Sequence, residues 1–184
     1  MSTPEHRRRS IRLPGYDYAS PGGYFVTLCT FQRLPLFGDI VNGEMHLNNC
    51  GRIAQDCWNA IPGHFPNARL DAFIVMPNHV HGVLWLTPVG AQHAAPLRSA
   101  VPRHTATPNN VLPGSLGAIV RSYKSAVSRN ASTIHQTTPR FLWQRNYYER
   151  IIRDDAELNA VRQYIIDNPT NWQDDEHNPA ATHP

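Results

Sequence analysis

Lysine is nearly missing from this chain. Lys124 is the single one in 184 residues, so arginine carries almost all the positive charge. Cysteine is scarce as well. Cys29, Cys50 and Cys57 are an odd number without CxxC spacing, which excludes a disulfide scaffold and a zinc ribbon and reads as free thiols in a reducing cytoplasm. Long apolar runs are absent. The longest, such as Ala72–Met76 and Val83–Leu86, fall far short of the ~20 residues that span a bilayer, so no membrane association is expected. The charged start MSTPEHRRRSIRL leads into no apolar stretch and does not read as a secretory signal. What is present, 41% hydrophobic and 17% charged residues, is the composition of one globular domain.

The net charge of +3 conceals an uneven distribution. Residues 1–13 carry +3 through Arg7, Arg8, Arg9 and Arg12 against Glu5, and residues 14–113 are neutral. Residues 114–153 carry +6, with Arg121, Lys124 and Arg145 among them, and residues 154–184 carry −6. Two basic blocks in a neutral host are the footprint of a polyanion partner held by phosphate contacts and counterion release. A solvated basic face with an Arg-rich tail has the same composition, and the two readings stand side by side at this point.

The chain divides into a basic N-terminal tail (1–13), a single domain (14–172) and an acidic, flexible C-terminal tail (173–184). Within the domain, residues 87–113 hold five prolines, no acidic residue and no periodicity, and read as a flexible insertion. Tyr24–Thr30 reads as a strand, and Asn42-Gly43 between extended residues as a hairpin turn. A helix capped by Asn48 or Asn49 runs through Ile53, Ala54, Cys57, Trp58 and Ile61, and Pro62-Gly63 ends it. Leu70–Met76 and His79–Leu86 form an antiparallel strand pair around Pro77-Asn78. Ser115–Arg129 is a helix with Leu116, Ile119, Val120, Tyr123 and Val127 on its apolar side. Phe141–Ile152 makes one long strand or two short ones. Asp154, with Glu157 three residues on, starts a last helix with a buried stripe of Leu158, Val161 and Ile165, which Asn168-Pro169 ends. Strands with few intervening helices imply an α+β fold, an antiparallel sheet with helices packed mainly on one face.

Chemistry concentrates in two short stretches. In Met76-Pro77-Asn78-His79-Val80-His81 the two histidines sit at i and i+2 of a strand, on one face and about 6–7 Å apart along the chain, close enough to share a metal ion. About 0.5 such pairs are expected by chance in a chain this rich in histidine, so spacing alone does not separate a metal site from two strand histidines. Imidazole suggests zinc first, yet no third Cys or His lies nearby and no HExxH supplies a base, which disfavours a zinc hydrolase. In Tyr164-Ile165-Ile166-Asp167-Asn168, Tyr164 and Asn168 stack one helical turn apart, Tyr164 at the margin of the apolar stripe. A core-edge tyrosine beside a helix-ending asparagine would look the same. Together the two stretches suit phosphoryl transfer. A phenol with a pKa near 10 is a poor nucleophile at neutral pH, and a divalent cation on the phosphate lowers that barrier. Trp143 is core or a base-stacking platform, and Asp71 and Asp167 are carboxylates near the site in surface or supporting roles.

The blocks GYFVTLCT, FIVMPNHVHGVLWL, LGAIVRSYKSAV and FLWQRNYYERIIRDDAELNAVRQYIIDNPTNW resemble, in order, the single-tyrosine transposases of the His-hydrophobic-His superfamily. More narrowly, they are similar to the branch associated with repetitive extragenic palindromes in bacterial genomes. The resemblance covers about residues 7–172 and implies a ferredoxin-like α+β fold. It implies a DNA strand-transferase and single-strand endonuclease that cleaves and rejoins hairpin-forming DNA through a 5′-phosphotyrosine, freeing a 3′-hydroxyl. Carried over by position, Tyr164 is the nucleophile, and His79, His81 and Asn168 hold Mg²⁺ or Mn²⁺. The DNA contacts fall to Arg7, Arg8, Arg9, Arg12, Arg121, Lys124 and Arg145. Relatives often carry histidine where this chain has Arg150. A cytoplasmic, nucleoid-associated monomer or homodimer is expected. The alternative is a domesticated relative that binds DNA, by its sequence or its structure, without cutting it.

Overall fold

The computed structural model describes residues 20–88, 112–134 and 142–181. The basic tail with Arg7, Arg8, Arg9 and Arg12, most of the 87–113 insertion, and Phe141 lie outside the described residues. β1 (Gly22–Cys29) leads through a short 3₁₀ turn to the hairpin β2 (Gly38–Val41) and β3 (Glu44–Leu47). Then come α1 (Asn49–Asn59), α2 (Ile61–His64), β4 (Ala68–Val75) and β5 (His79–Leu86). α3 (Leu116–Ile134), β6 (Tyr148–Ile152) and α4 (Asp155–Asp167) complete the order.

Four strands form one antiparallel sheet in the order β4-β5-β1-β6. With α1 between β1 and β4 and α3 between β5 and β6, this is the ferredoxin-like βαββαβ path, with the β2–β3 hairpin and α4 added. The strand alternation predicted from sequence sorts the side chains into two layers. Tyr24, Val26, Leu28, Val80 and Leu84 face α1 and α3, and form the larger core with Trp58, Ile119, Tyr123 and Val127. Phe25 and Val83 point the other way, and α4 covers them with Leu158, Val161 and Ile165. Two long helices thus share one face, and α4 alone lies on the opposite one.

Local chemistry explains most boundaries. Asn42 and Gly43 both take positive φ, 52° and 78°, which is the turn that the Asn-Gly pair specifies. The Asn48 side chain accepts from Gly51 N at 3.0 Å and caps α1. Asp154 accepts from Glu157 N at 2.8 Å, while the Glu157 carboxylate returns to Arg153 N at 2.9 Å, one residue earlier than in the usual capping box. Gly82 is a packing necessity: a Cβ there would lie 2.2 Å from the Trp58 ring, which stacks on Phe73 with centroids 4.6 Å apart.

Three expectations need correction. Pro62-Gly63 does not end α1. It lies inside the separate one-turn α2, where proline in the first turn forfeits only an N–H that would lack a helical partner. The 141–152 stretch is one strand, Tyr148–Ile152, plus an isolated bridge from Trp143 to Thr30. Residues 173–181 are no free tail: His177 is buried and its carbonyl accepts from Asn78 Nδ2 at 2.7 Å. The acidic composition suggested a solvated end, but a few polar side chains anchor this segment across the sheet face that carries the histidines.

Candidate active site

β5 delivers His79 and His81 to the α4 side of the sheet, opposite Cys29 and Thr27 of β1. Both imidazoles are fully buried, and their Nε2 atoms approach to 2.9 Å. Each outer nitrogen is held. The Asn78 amide is oriented by donating to Arg33 O at 2.9 Å and His177 O at 2.7 Å, so its oxygen must accept from His79 Nδ1–H at 2.9 Å. That leaves His79 Nε2 as a bare lone pair. His81 Nδ1 lies 3.0 Å from Thr27 Oγ1, a hydroxyl able to donate or accept, so His81 can carry its proton on Nε2, donating to His79 Nε2, or on Nδ1 when a cation takes both Nε2 lone pairs. Burial, reinforced by the neighbouring histidines, pushes the His79 pKa well below its ordinary 6.5. Burial, then His177, pushes His81 down to about 3. Both rings are therefore neutral at any physiological pH and offer lone pairs rather than charge.

α4 brings Tyr164 and Asn168 over this pair. The Tyr164 hydroxyl is 3.2 Å from His81 Nε2, while the ring is 43% exposed and edge-on to Phe25 at 6.1 Å. Partial burial, then the Asp175 and Glu176 carboxylates, raises its pKa to about 12, so the phenol is protonated as it stands. Asn168 is buried. Its Nδ2 donates to Asp175 Oδ2 at 3.1 Å, and its Oδ1 has no well-aligned partner. A buried acceptor left open in this way is costly unless something fills its shell.

Asp175 completes the arrangement. One ligand atom from each of His79, His81 and Asp175 lies within 4.8 Å of the others. Ligands about 2.1 Å from an octahedral ion stand about 3 Å apart, which is the spacing of the two Nε2 atoms. Two neutral imidazoles and one carboxylate have the chemistry and spacing to hold a divalent cation, and the Asn168 amide is bonded to that carboxylate. His177 packs its ring 4.6 Å from that of His79 and lines the same space.

Of the residues expected from sequence, the structure brings His79, His81, Tyr164 and Asn168 together. Arg121 and Lys124 lie on α3, across the sheet. Arg121 is exposed, whereas the Lys124 ammonium donates to Gln144 O at 2.6 Å and burial lowers its pKa to about 8. Arg145 is exposed, and Trp143 is core, 9% exposed. Asp71 takes both arms of Arg162 at 2.7 Å, tying a bulge in β4 to α4, and Asp167 accepts from Gln163 at 2.9 Å. Sequence reasoning missed Asp175, His177, Thr27 and Asn78. The acid run after Trp172 was the available signal for Asp175. Thr27 and Asn78 become visible only once the β1–β5 register is known.

The solved structure of a REP-associated tyrosine transposase bound to a REP hairpin superposes with a TM-score of 0.56 over 94% of this chain and 74% of that one, at 17% identity. The chain thus shares its fold with that protein. No family model matches it. A Haemophilus influenzae protein described as uncharacterized is 41% identical over 175 residues, 93% of each chain. The chain belongs to the same family as that protein. Among the described residues no helix is long and apolar enough to cross a membrane.

Proposed function

We propose that the protein is a metal-dependent tyrosine transposase, a single-strand DNA endonuclease and strand transferase acting on hairpin-forming DNA. The observation that carries this reading is the Tyr164 hydroxyl lying 3.2 Å from His81 Nε2, at the edge of the His79–His81–Asp175 cluster. A Mg²⁺ or Mn²⁺ ion held by His79, His81, Asn168 and Asp175 would supply positive potential to the scissile phosphate and to a phenol whose pKa is otherwise about 12.

The chain's own residues do the rest. α4 holds Tyr164 so that its Oη can attack phosphorus in line with the departing 3′ oxygen. The Tyr164 Oη–P bond forms, the P–O3′ bond breaks, the phenol loses its proton and the 3′ oxygen gains one. The 5′-phosphotyrosine keeps the energy of the broken phosphodiester, so a 3′-hydroxyl can later reverse the step and rejoin a strand. Thr27 and Asn78 fix the imidazole planes. Arg7, Arg8, Arg9, Arg12, Arg121 and Arg145 supply phosphate contacts, with Lys124 contributing charge from α3. The partner is hairpin-bearing single-stranded DNA, in a cytoplasmic, nucleoid-associated setting, and the REP hairpin bound to the solved neighbour supports a hairpin ligand.

The test is incubation of labelled hairpin DNA with the protein and Mg²⁺ or Mn²⁺, followed by denaturing electrophoresis. A covalent adduct is expected from the wild type and none from Tyr164→Phe, with binding retained. Adduct formed by Tyr164→Phe would refute the assignment. Salt-steep binding without adduct under any metal would instead identify a DNA-binding protein without turnover.

A further inference from the structure

The sheet face that carries the histidines continues toward β6 into a cleft of about 390 Å³ between β1, β6 and α4. Apart from Tyr164, its lining residues have no part in the cation cluster. Phe25, 7% exposed, and Val161, 8% exposed, are its buried apolar lining. Tyr148 and Tyr164 also line it, 42% and 43% exposed. Phe25 meets both rings edge-on, Tyr148 at 6.4 Å and Tyr164 at 6.1 Å, so one buried phenyl supports two phenols. Arg150 sits at the mouth, half exposed, bonded to Glu157 at 2.5 Å.

This combination has a chemical meaning. Two large aromatic side chains exposed in one small concavity, with a guanidinium at the rim, suit a flat, polar-edged ring that stacks on one face and is hydrogen-bonded at its edge. The rim is polar, a guanidinium paired with the Glu157 carboxylate that also lines the cleft, and an apolar peptide side chain would leave its remaining N–H donors unmatched. The volume lies near the low end of ligand clefts, the scale of a single nucleotide unit. Tyr164 belongs both to this cleft and to the cation cluster. An occupant whose ring lies in the cleft therefore carries its attached phosphate toward the Tyr164 hydroxyl.

We propose that the cleft is a binding site for one unpaired nucleobase of a single DNA strand, stacked on Tyr148 with its edge toward Arg150. The placement of that base beside the reacting phosphate rests on the transposase reading. Stacking makes the site tolerant of base identity, while Arg150 favours bases with edge acceptors. Tyr148 acts here as a substrate-positioning residue, since no reacting atom lies on it.

The test compares two strands of equal length and equal phosphate count, a fluorescent oligothymidylate and its abasic counterpart, by anisotropy. The wild type is expected to bind the base-bearing strand about tenfold more tightly. Tyr148→Ala should erase that preference while leaving affinity for the abasic strand unchanged, and Tyr148→Phe should retain the preference. A 2-aminopurine placed in the strand should lose fluorescence on binding to the wild type and not to Tyr148→Ala. Equal affinity of the wild type for both strands, or a Tyr148→Ala loss that is the same for both, would overturn the proposal. A base preference that depends on Tyr148, with no covalent adduct from any strand, would support the base site and overturn the transposase reading.

Discussion

The buried histidine pair makes stability depend on pH in a calculable way. In the unfolded chain His81 titrates near 6.5, and in the folded protein burial holds its pKa at about 3. Between those values the unfolded state binds a proton that the native state refuses, so protons favour unfolding. The stability owed to neutral His81 is complete above pH 6.5 and is lost progressively as pH falls toward about 3. At pH 5 the separation from the unfolded value corresponds to about 2 kcal/mol at 1.36 kcal/mol per pH unit, a large share of the ~5–15 kcal/mol of a typical domain. His79 and His177, also depressed, act in the same direction. Asp71, lowered by its bond to Arg162, loses its contribution only near and below 3.8, beneath this window. Urea unfolding followed by tryptophan fluorescence at pH 7, 6 and 5 should show the midpoint falling across the series. NMR of the imidazole Cε1–H signals should show His81 untitrated down to pH 5. An unchanged midpoint together with a His81 signal titrating near 6.5 would refute the account of the site as a pair of enforced neutral imidazoles.

Other outcomes follow from the same geometry. Thr27→Val removes the hydroxyl on His81 Nδ1 and should weaken Mn²⁺ binding about 10–100-fold by titration calorimetry, while Thr27→Ser keeps it. Asp175→Asn should weaken Mn²⁺ binding by about tenfold or more by the same assay, because it removes the one carboxylate of the cluster. Gly82→Ala drives a methyl into the Trp58 ring and should destabilise the fold by about 1–3 kcal/mol in urea unfolding, with the tryptophan emission shifted.

Sequence legibility followed the range of the interaction. The Asn42-Gly43 turn, the Asp154 cap and the buried stripe of α4 rest on residues within a few positions of one another, and their physics is local. Strand periodicity likewise placed His79 and His81 on one face, and helical periodicity stacked Tyr164 above Asn168. Pro62 misled because proline ends a helix in its interior yet suits the first turn of the next one. Residues 173–181 misled for a different reason. They carry no periodic signal, and their acidic composition is that of a solvated tail.

Taken alone, then, the order of residues determined the α+β class, the pairing of the two imidazoles and the pairing of Tyr164 with Asn168, each a consequence of backbone period. Only the tertiary structure decided that those two pairs meet. α4 crosses the sheet face opposite α1 and α3, and the antiparallel β1–β5 register sets Thr27 against His81. The chain then returns after Trp172 to place Asp175 beside the histidines. Such contacts join residues tens of positions apart. They are set by which apolar faces must be covered, and no local pattern encodes that.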